Sequence, residues 1–397
     1  MQPTIKIING RIITPGRIIS QGSILVSNGR IVMVSDSDIA TPADRVIDAG
    51  GQYIAPGFID IHIHGGGGHD FMDGTETAFL KIAETHARYG TTAMVPTTLT
   101  AEKEDLLHTL DIYEQANRNN RQGAAFLGIH LEGPYFAMSQ RGAQDPRYIR
   151  NPNPTEYKEI LAHSSSIVRW SVAPELDGAL EMGQYLRETG ILPAIAHTDA
   201  VYEEVVKAFD CGYTLATHFY SAMSGVTRRN LYRYAGVIES VYLIDEMDAE
   251  IIADGVHLPA PLLKLICKIK GTDRVALITD AMRGAGMPPG KSVLGPLNGG
   301  LDVIIEDGVA KLLDGSAFAG SVATADRLVR TMMTLAEMPL ATAVKMMSLT
   351  PARIMGVDRH KGSLVPGKDA DILIMDEQIN IRLTMVNGNV VYQAGGH

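Results

Sequence analysis

The central part of the chain, residues 56–360, alternates short apolar segments with longer amphipathic ones. Eight apolar segments have the length of a strand and predict strands at 58–64, 92–96, 125–131, 167–173, 192–196, 215–218, 250–253 and 276–279. Amphipathic segments between them predict helices, including 76–89, 102–119, 179–189 and 202–209. Strands and helices that alternate in this way predict an α/β fold, a TIM-like (β/α)8 barrel. An open doubly wound sheet is the alternative, but the glycine pattern that binds dinucleotides in that class is missing.

Both ends of the chain instead alternate apolar and polar residues over short segments that are separated by turn residues. Asn9-Gly10, Pro15-Gly16 and Asn28-Gly29 predict turns near the start, and Asn387-Gly388 predicts a two-residue hairpin turn near the end. We therefore expect residues 1–55 and 361–397 to form one small β-sandwich domain together. Residues 56–360 would form the barrel.

Composition excludes several classes of partner. A formal net charge of -10 opposes non-specific binding to nucleic acid. The apolar segments are much shorter than the ~20 residues of a membrane-spanning helix, so no membrane partner is expected. The first residues lack the order of charged and apolar regions that marks a signal peptide, which favours a cytoplasmic protein. With only Cys211 and Cys267 present, we expect no disulfide framework.

A His-x-His pair lies at the end of the first predicted barrel strand. Residues i and i+2 of a strand point to the same face, so His62 and His64 leave the strand in the same direction and can share a metal ion. The glycines at 65–68 then let the backbone turn away. A single buried histidine is more often a hydrogen-bonded core residue, but two at this spacing before a glycine run favour a metal site.

Single polar residues also lie at the ends of four of the later predicted strands. They are Glu132, His197, His218 and Asp280. Each residue alone is more often a capping or core group than a ligand. Catalytic groups of a barrel gather at the C-terminal ends of its strands, so six such residues in strand order favour one common site.

Four histidines and two carboxylates supply the nitrogen and oxygen donors that Zn²⁺ and similar divalent ions prefer. A donor set without thiolates is typical of catalytic sites. A bound divalent ion can activate water near neutral pH and polarise a carbonyl. Asp280 is the natural candidate to take a proton from that water and give it to a leaving amine. We expect a divalent ion as the cofactor, with zinc as the first choice.

In these residues and the motifs around them, the chain resembles the amidohydrolase superfamily and, within it, the N-acetylglucosamine-6-phosphate deacetylases, over nearly its whole length. The superfamily pattern is seen in PGFIDIHIH at 56–64 and in GSLVPGKDAD at 362–371. Deacetylase-like segments are HLEGP at 130–134, THFYSAM at 217–223, IADGVH at 252–257 and ITDA at 278–281. The resemblance implies a metal-dependent hydrolase that removes acetate from a phosphorylated N-acetyl amino sugar.

The resemblance also implies roles for individual residues. Glu132, His197 and His218 match the principal metal ligands, and Asp280 matches the catalytic acid/base. Some relatives lack the two early histidines and keep one metal, whereas this chain has both. A two-metal site bridged by Glu132 is therefore possible here.

Substrate contacts are implied in the same way. His257 matches a substrate-contacting histidine that would help to polarise the acetamide carbonyl. The positions that the resemblance assigns to the substrate are Ala143, Gln144, Ser221, Ala222, Arg229, Arg233, Asp254, Gly255, His257, Phe318, Ala319 and Gly320.

Departures from the family concern the phosphate pocket. Ser221 stands where the family usually has asparagine, and Gln144 stands where a histidine is more usual. The family's phosphate-binding arginine crosses a dimer interface. Counting from His218 selects Arg229, counting from His257 selects Arg233, and Arg228 is adjacent. We expect a homodimer with one of these arginines at the interface; the alternative is a solvated basic surface.

Three functions remain open. The first is deacetylation of N-acetylglucosamine 6-phosphate, or of a related substrate such as N-acetylgalactosamine 6-phosphate. The second is another amidohydrolase, acting on a cyclic amide, a nucleobase or an N-acyl amino acid. Those relatives commonly use a carboxylated lysine where this chain has Glu132, which favours the first. The third is a barrel that has lost catalysis, against which the retained donor set argues.

Overall fold

Parallel strands form the centre of the structure, a computed structural model that describes residues 3–395. Three of them form one sheet: Phe58–Ile63, Thr91–Pro96 and Ala125–Phe126. Six form another: Ile129–Glu132, Ile167–Val172, Leu192–Ile195, Leu215–Ala216, Asp248–Ile251 and Val275–Leu277. All eight predicted strands are confirmed, the third being divided in two before Gly128, whose φ is 126°. Every residue of Phe58–Ile63 is buried, as expected for a strand covered on both faces.

The two parallel sheets adjoin at both edges. At one edge, the Thr98 amide donates to the His130 carbonyl over 3.0 Å. At the other edge, the Asp280 amide donates to the His62 carbonyl over 3.0 Å. The predicted α/β fold of parallel strands and helices is therefore confirmed. The strands are assigned to two sheets and not to one closed sheet, so the closed barrel stays a prediction.

Helices follow the parallel strands along the chain. The α-helices of the described residues are Glu76–Ala87, Lys103–Asn119, Pro154–His163, Ala179–Glu188, Tyr202–Asp210, Val237–Leu243, Ala260–Lys270, Ala325–Thr334, Leu340–Met346 and Leu349–Ile354. In the first helix, Phe79 and Ile82 lie on a buried face, and the Thr75 hydroxyl caps the first turn by accepting from the Ala78 amide. Within residues 3–395, no helix has both the length and the apolar content that crossing a membrane requires.

The two ends of the chain share one eight-stranded sheet. Its strands are Ile5–Ile13, Ile18–Ser27, Arg30–Ser35, Arg45–Asp48, Tyr53–Pro56, Ile372–Met375, Ile381–Val386 and Asn389–Gln393. Strand Tyr53–Pro56 pairs antiparallel with strand Ile372–Met375, which joins the N-terminal part to the C-terminal part. A sandwich needs two facing sheets, so the predicted sandwich and its domain limits stay predictions. Residues 1–2 and 396–397 of the predicted domain lie outside the described residues.

One predicted turn is wrong. Asn9-Gly10 does not reverse the chain, because Ile5–Ile13 is a continuous strand whose register shifts beside Gly10 and in which Asn9 has a φ of 56°. A bulge requires the same left-handed backbone as a tight turn, so the same Asn-Gly pair is compatible with either structure. Asn28-Gly29 and Asn387-Gly388 do form the predicted turns between neighbouring strands.

Two antiparallel units that the sequence patterns did not predict extend from the parallel core. A four-stranded sheet lies between the last parallel strand and helix Ala325–Thr334, with strands Gly290–Leu294, Leu301–Glu306, Val309–Leu312 and Phe318–Ser321. An exposed hairpin pairs Thr227–Arg229 with Tyr232–Tyr234. Shorter elements are the paired segments Gly65–Gly66 and His69–Asp70 and the 3-10 turns Phe71–Asp73 and Met138–Gln140.

Candidate metal centre

The predicted metal donors meet at the C-terminal ends of the parallel strands. The six residues are all buried and come from five different strand ends: His62, His64, Glu132, His197, His218 and Asp280. The donor atoms form two groups, each close enough together to hold a metal ion, and the two groups share Glu132. The first is His62, His64 and Glu132, and the second is Glu132, His197 and His218.

Three of these residues have an unusual backbone conformation. The φ angles of His197, His218 and Asp280 are 47°, 33° and 48°, in the left-handed region that residues with a Cβ rarely adopt. Each lies two or three residues beyond the end of its strand, where the turn directs the side chain toward the centre of the site. Backbone strain of this kind is retained where surrounding structure imposes it and is commonly found at functional sites.

Glu132 lies between the four histidines. Its Oε1 is 3.1 Å from His218 Nε2, 3.4 Å from His62 Nε2 and 3.5 Å from His197 Nε2. Its Oε2 is 3.4 Å from His64 Nε2. Ligand atoms bound at about 2.1 Å to one tetrahedral ion are roughly 3.4 Å apart, so these donors have the separation that a divalent ion needs.

Asp280 lies beside the two early histidines. Its Oδ1 is 3.1 Å from His64 Nε2 and 3.4 Å from His62 Nε2. The two early histidines thus lie between two carboxylates. Nitrogen and carboxylate donors without thiolates fit a catalytic divalent-ion site with positions left for water or substrate.

Backbone carbonyls orient the histidines of the second group. His197 Nδ1 donates to the Gln140 carbonyl over 2.8 Å, and His218 Nδ1 donates to the Ser221 carbonyl over 3.2 Å. A proton on Nδ1 leaves the Nε2 lone pair directed into the centre, which is the tautomer a metal ligand needs.

Gln144 supports the shared carboxylate. Its side-chain amide donates to Glu132 Oε2 over 2.7 Å, while its carbonyl oxygen accepts from the Thr100 amide over 2.9 Å. These two bonds hold Gln144 in one orientation. The residue predicted to contact substrate is therefore also a direct neighbour of the metal donors.

The charges of the donor groups depend on one another. Burial would raise the pKa of Glu132, but His62 and the other histidines outweigh it and hold that pKa well below its ordinary value. Burial opposes a proton on His64, yet the bonds to Asp280 and Glu132 raise its pKa well above the ordinary value. The pKa of Asp280 is lowered, since the histidines outweigh burial. Both carboxylates are thus ionised at neutral pH, and protons compete with a metal ion for the histidines as pH falls.

A cavity of about 440 Å³ opens above the donors. Of the residues predicted to contact substrate, those that line it are Ala143, Gln144, Ser221, Ala222, His257, Phe318 and Gly320. Asp254, Gly255 and Ala319 are not part of the lining. Asp254 lies behind His257, and its Oδ2 accepts from His257 Nδ1 over 2.8 Å. This bond directs the other ring nitrogen of His257 away from Asp254.

The predicted phosphate-binding arginines lie elsewhere. Arg228, Arg229 and Arg233 belong to the exposed hairpin and do not line the cavity. Arg228 pairs with Arg233 across the hairpin, and the turn residue Leu231 is 76% exposed. Within the described residues, this chain alone does not bring these arginines to the metal donors.

Sequence reasoning missed part of the cavity wall. Arg141 lines the cavity beside Gly142, and Ser316 and Ala317 line it from the loop that precedes strand Phe318–Ser321. Arg141 is separated from the predicted contacts Ala143 and Gln144 only by Gly142, so its place in the same loop was a usable signal. No pattern marked Ser316 and Ala317, because they reach the cavity only through tertiary packing.

Comparison with known proteins identifies the class of protein. The family model described as amidohydrolase family matches residues 53–391, and the chain belongs to that family. An N-acetylgalactosamine-6-phosphate deacetylase of Escherichia coli O157:H7 is 33% identical over 346 residues, which is 87% of this chain and 89% of the relative. An N-acetylglucosamine-6-phosphate deacetylase of Lysinibacillus sphaericus is 33% identical over 381 residues, 94% of each chain.

Solved structures agree with the sequence matches. The N-acetyl-D-glucosamine-6-phosphate deacetylase of Mycobacterium smegmatis is similar with a TM-score of 0.89 and 29% identity, covering 98% of this chain and all of the other. The N-acetylglucosamine-6-phosphate deacetylase of Pasteurella multocida has a TM-score of 0.90 and 26% identity, covering 98% and 99%. More distant amidohydrolases such as an enamidase, at 14% identity and a TM-score of 0.61, share the fold alone.

Replacement of Glu132 tests the shared position of its carboxylate. Glu132→Gln should weaken every bound ion, because both donor groups use Glu132, and by more than the ~10–100-fold that loss of an outer partner costs. His64→Gln should weaken only one ion. Metal content by mass spectrometry, together with affinities from chelator competition, measures both effects.

The exposed carboxylate of Glu104 provides a control, since Glu104→Gln should leave metal binding unchanged. A folded Glu132→Gln protein with the metal affinity of the unmodified chain would contradict the shared-ligand arrangement.

Proposed function

We propose that the protein is a metal-dependent deacetylase that hydrolyses N-acetylglucosamine 6-phosphate to glucosamine 6-phosphate and acetate. The observation that carries this proposal is the convergence of four histidine nitrogens and two carboxylates beneath a cavity of about 440 Å³. A relative named for that activity, 33% identical over 94% of the chain, supports the choice of substrate. A phosphorylated sugar does not cross a membrane unaided, and we propose a cytoplasmic location to match.

The proposal includes the finer architecture. We propose that residues 56–360 form one eight-stranded TIM-like barrel, and that residues 1–55 and 361–397 form a β-sandwich. The hydrogen bonds between Thr98 and His130 and between Asp280 and His62 support a barrel that continues across both edges. The shared sheet of both chain ends supports the small domain.

Two ion positions fit the donors. Glu132, His197 and His218 would hold one ion, and His62, His64, Glu132 and Asp280 would hold a second. Zinc is the proposed metal, because imidazole and carboxylate without thiolate suit it. When bound, such an ion supplies Lewis-acid polarisation of the carbonyl and makes water nucleophilic near neutral pH.

Asp280 would move the proton. Water oxygen adds to the acetamide carbon, and its proton passes to the Asp280 carboxylate, which is ionised because its pKa is lowered. The carbon–nitrogen bond then breaks as Asp280 gives that proton to the amine nitrogen. His257, oriented by the bond from its Nδ1–H to Asp254, would donate to the carbonyl oxygen from Nε2 in its doubly protonated form.

The cavity residues would orient the sugar. Its wall includes Ala222, whose backbone amide can meet a phosphate oxygen whatever the side chain is, whereas the Ser221 amide already donates to the His218 carbonyl over 2.8 Å. Ala143, Gln144, Phe318 and Gly320, which line the cavity, complete the proposed contacts.

A homodimer would supply the phosphate-binding arginine. The hairpin with Arg229 and Arg233 is exposed and carries Leu231 and Tyr232 at 76% and 74% exposure, which supports an interface at this position. We propose that one of these arginines reaches the cavity of the partner chain, where a guanidinium meets phosphate with paired hydrogen bonds.

The sugar epimer has a second candidate. The N-acetylgalactosamine-6-phosphate deacetylase of Escherichia coli O157:H7 is as similar in identity as the glucosamine relatives. Ser221 and Gln144 both belong to the cavity wall at positions where the sequence departs from the family pattern. A second proposed activity is therefore the same reaction on N-acetylgalactosamine 6-phosphate.

Acetate release from a panel of sugars tests the function. The panel contains both N-acetyl hexosamines, each with and without the 6-phosphate. We expect kcat/KM to be highest for N-acetylglucosamine 6-phosphate and to fall for sugars that lack phosphate. Equal rates on phosphorylated and free sugars would contradict the assignment of a phosphorylated substrate. A lack of acetate release from all of them would contradict the deacetylase activity.

Arginine variants in the same panel identify the phosphate contact. Arg229→Ala or Arg233→Ala, but not both, should raise KM for the phosphorylated sugar by an amount worth about 1.5–3 kcal/mol, the value of a charged hydrogen bond. Arg228→Ala is the matched control on the same hairpin. If none of the three changes KM, the arginines are a solvated surface.

Asp280→Asn tests the proton carrier. The variant should keep its fold and lose kcat by about two to four orders of magnitude, the contribution of general acid–base catalysis. Stopped assays of acetate, with metal content measured on the same sample, separate the loss of the base from loss of metal. A kcat near that of the unmodified enzyme would assign the proton transfer to another group.

A further inference from the structure

A buried ion pair lies beside the metal donors, inside the parallel sheets. Arg169 and Glu250 are both 0% exposed and come from strands Ile167–Val172 and Asp248–Ile251. Arg169 Nη2 donates to Glu250 Oε2 over 2.8 Å, and Arg169 Nη1 donates to Glu250 Oε1. An ion pair in this position adds little net stability compared with apolar residues of the same size. Stability of the fold therefore does not explain why the pair is present.

The pair is fixed from several sides. Arg169 Nη2 also donates to Thr217 Oγ1 over 2.8 Å, and Arg169 Nη1 donates to the Ile61 carbonyl over 3.1 Å. Thr217 Oγ1 lies 3.0 Å from Ser171 Oγ, which in turn lies 2.7 Å from His130 Nε2. The guanidinium therefore holds the Glu250 carboxylate at one position in the interior.

Glu250 faces the back of His62. Its Oε2 is 3.6 Å from His62 Nδ1, and that fully buried nitrogen has no hydrogen-bond partner among the described residues. The opposite ring nitrogen, Nε2, faces Glu132 and Asp280. A small rotation of the ring would make the Nδ1–H bond to Glu250 and leave the Nε2 lone pair for an ion.

The two groups of histidines thus have different supports. Backbone carbonyls accept from His197 and His218, whereas an ionised carboxylate is available to His62. The pKa of Glu250 is lowered, because Arg169 and His62 outweigh the burial that would raise it. A negative charge behind an imidazole makes its other nitrogen a stronger ligand.

We propose that Glu250, held in place by Arg169, is a positioning residue that fixes the ring and the tautomer of His62 and so determines how tightly the ion at His62 and His64 is bound. The proposal rests on the proposed metal-dependent function, because it requires that His62 is a metal ligand. It adds that the affinity of this ion is set from the interior of the fold, by residues that do not touch the substrate.

Metal affinity in Glu250→Gln tests the proposal. The variant keeps the shape of the side chain but offers Arg169 and His62 no negative charge. We expect the affinity for the ion at His62 to fall by about 10–100-fold, as for loss of an outer partner of a ligand, and the other ion to be unaffected. Titration with Zn²⁺ against a chromophoric chelator measures this without substrate, so failure of the deacetylase assay would not affect the result.

A double-mutant cycle separates positioning from a general structural role. In a His62→Asn background, Glu250→Gln should change metal affinity no further, because the positioned ring is gone. Asp248→Asn is the matched control: this carboxylate is on the same strand and pairs with Arg353 over 2.6 Å, so the variant should keep its metal affinity.

Two results would overturn the proposal. One is unchanged affinity in Glu250→Gln, and the other is an equal further loss in the His62→Asn background. If Glu250→Gln does not fold, the double variant Arg169→Met with Glu250→Met leaves no unpaired buried charge, and the same loss of affinity is expected from it.

Discussion

The carboxylate of Glu132 is the group on which the other donors of the site depend. Its two oxygens lie 3.1–3.5 Å from the Nε2 atoms of four histidines, and its side chain is only 2% exposed. A buried charge in this position would be costly without partners, and the histidines together with the Gln144 amide offset that cost. The two groups of donors can therefore form around one shared carboxylate.

The surrounding structure holds the donors in place, and part of its backbone is strained as a result. His197, His218 and Asp280 adopt left-handed backbone conformations at the ends of their strands. Asp199 accepts from the side-chain amide of Gln140 over 2.6 Å, which holds the loop whose carbonyl orients His197. Rigid strands on one side and a hydrogen-bonded loop on the other thus limit the motion of the donors, as catalytic geometry requires.

Much of this arrangement could be predicted from the sequence, for identifiable reasons. Strands such as Phe58–Ile63 are buried on both faces, so they appear as apolar runs, and polar residues at their ends are conspicuous. Glu250 and Arg169 lie within strands, where a charged residue is ordinarily read as solvent-facing, so their pairing required the three-dimensional fold. Asn9-Gly10 was misread because a bulge and a turn need the same backbone conformation. The substrate role of Arg229 and Arg233 depends on a second chain, which sequence patterns do not describe.

Anomalous X-ray diffraction from crystals grown with Zn²⁺ is the measurement that tests the central claim most directly. We expect anomalous peaks at about 2.0–2.2 Å from the oxygens of Glu132, one of them also within bonding distance of Nε2 of His197 and His218. A well-occupied ion held by these histidines with no Glu132 oxygen in its coordination sphere would contradict the claim that this carboxylate organises the site.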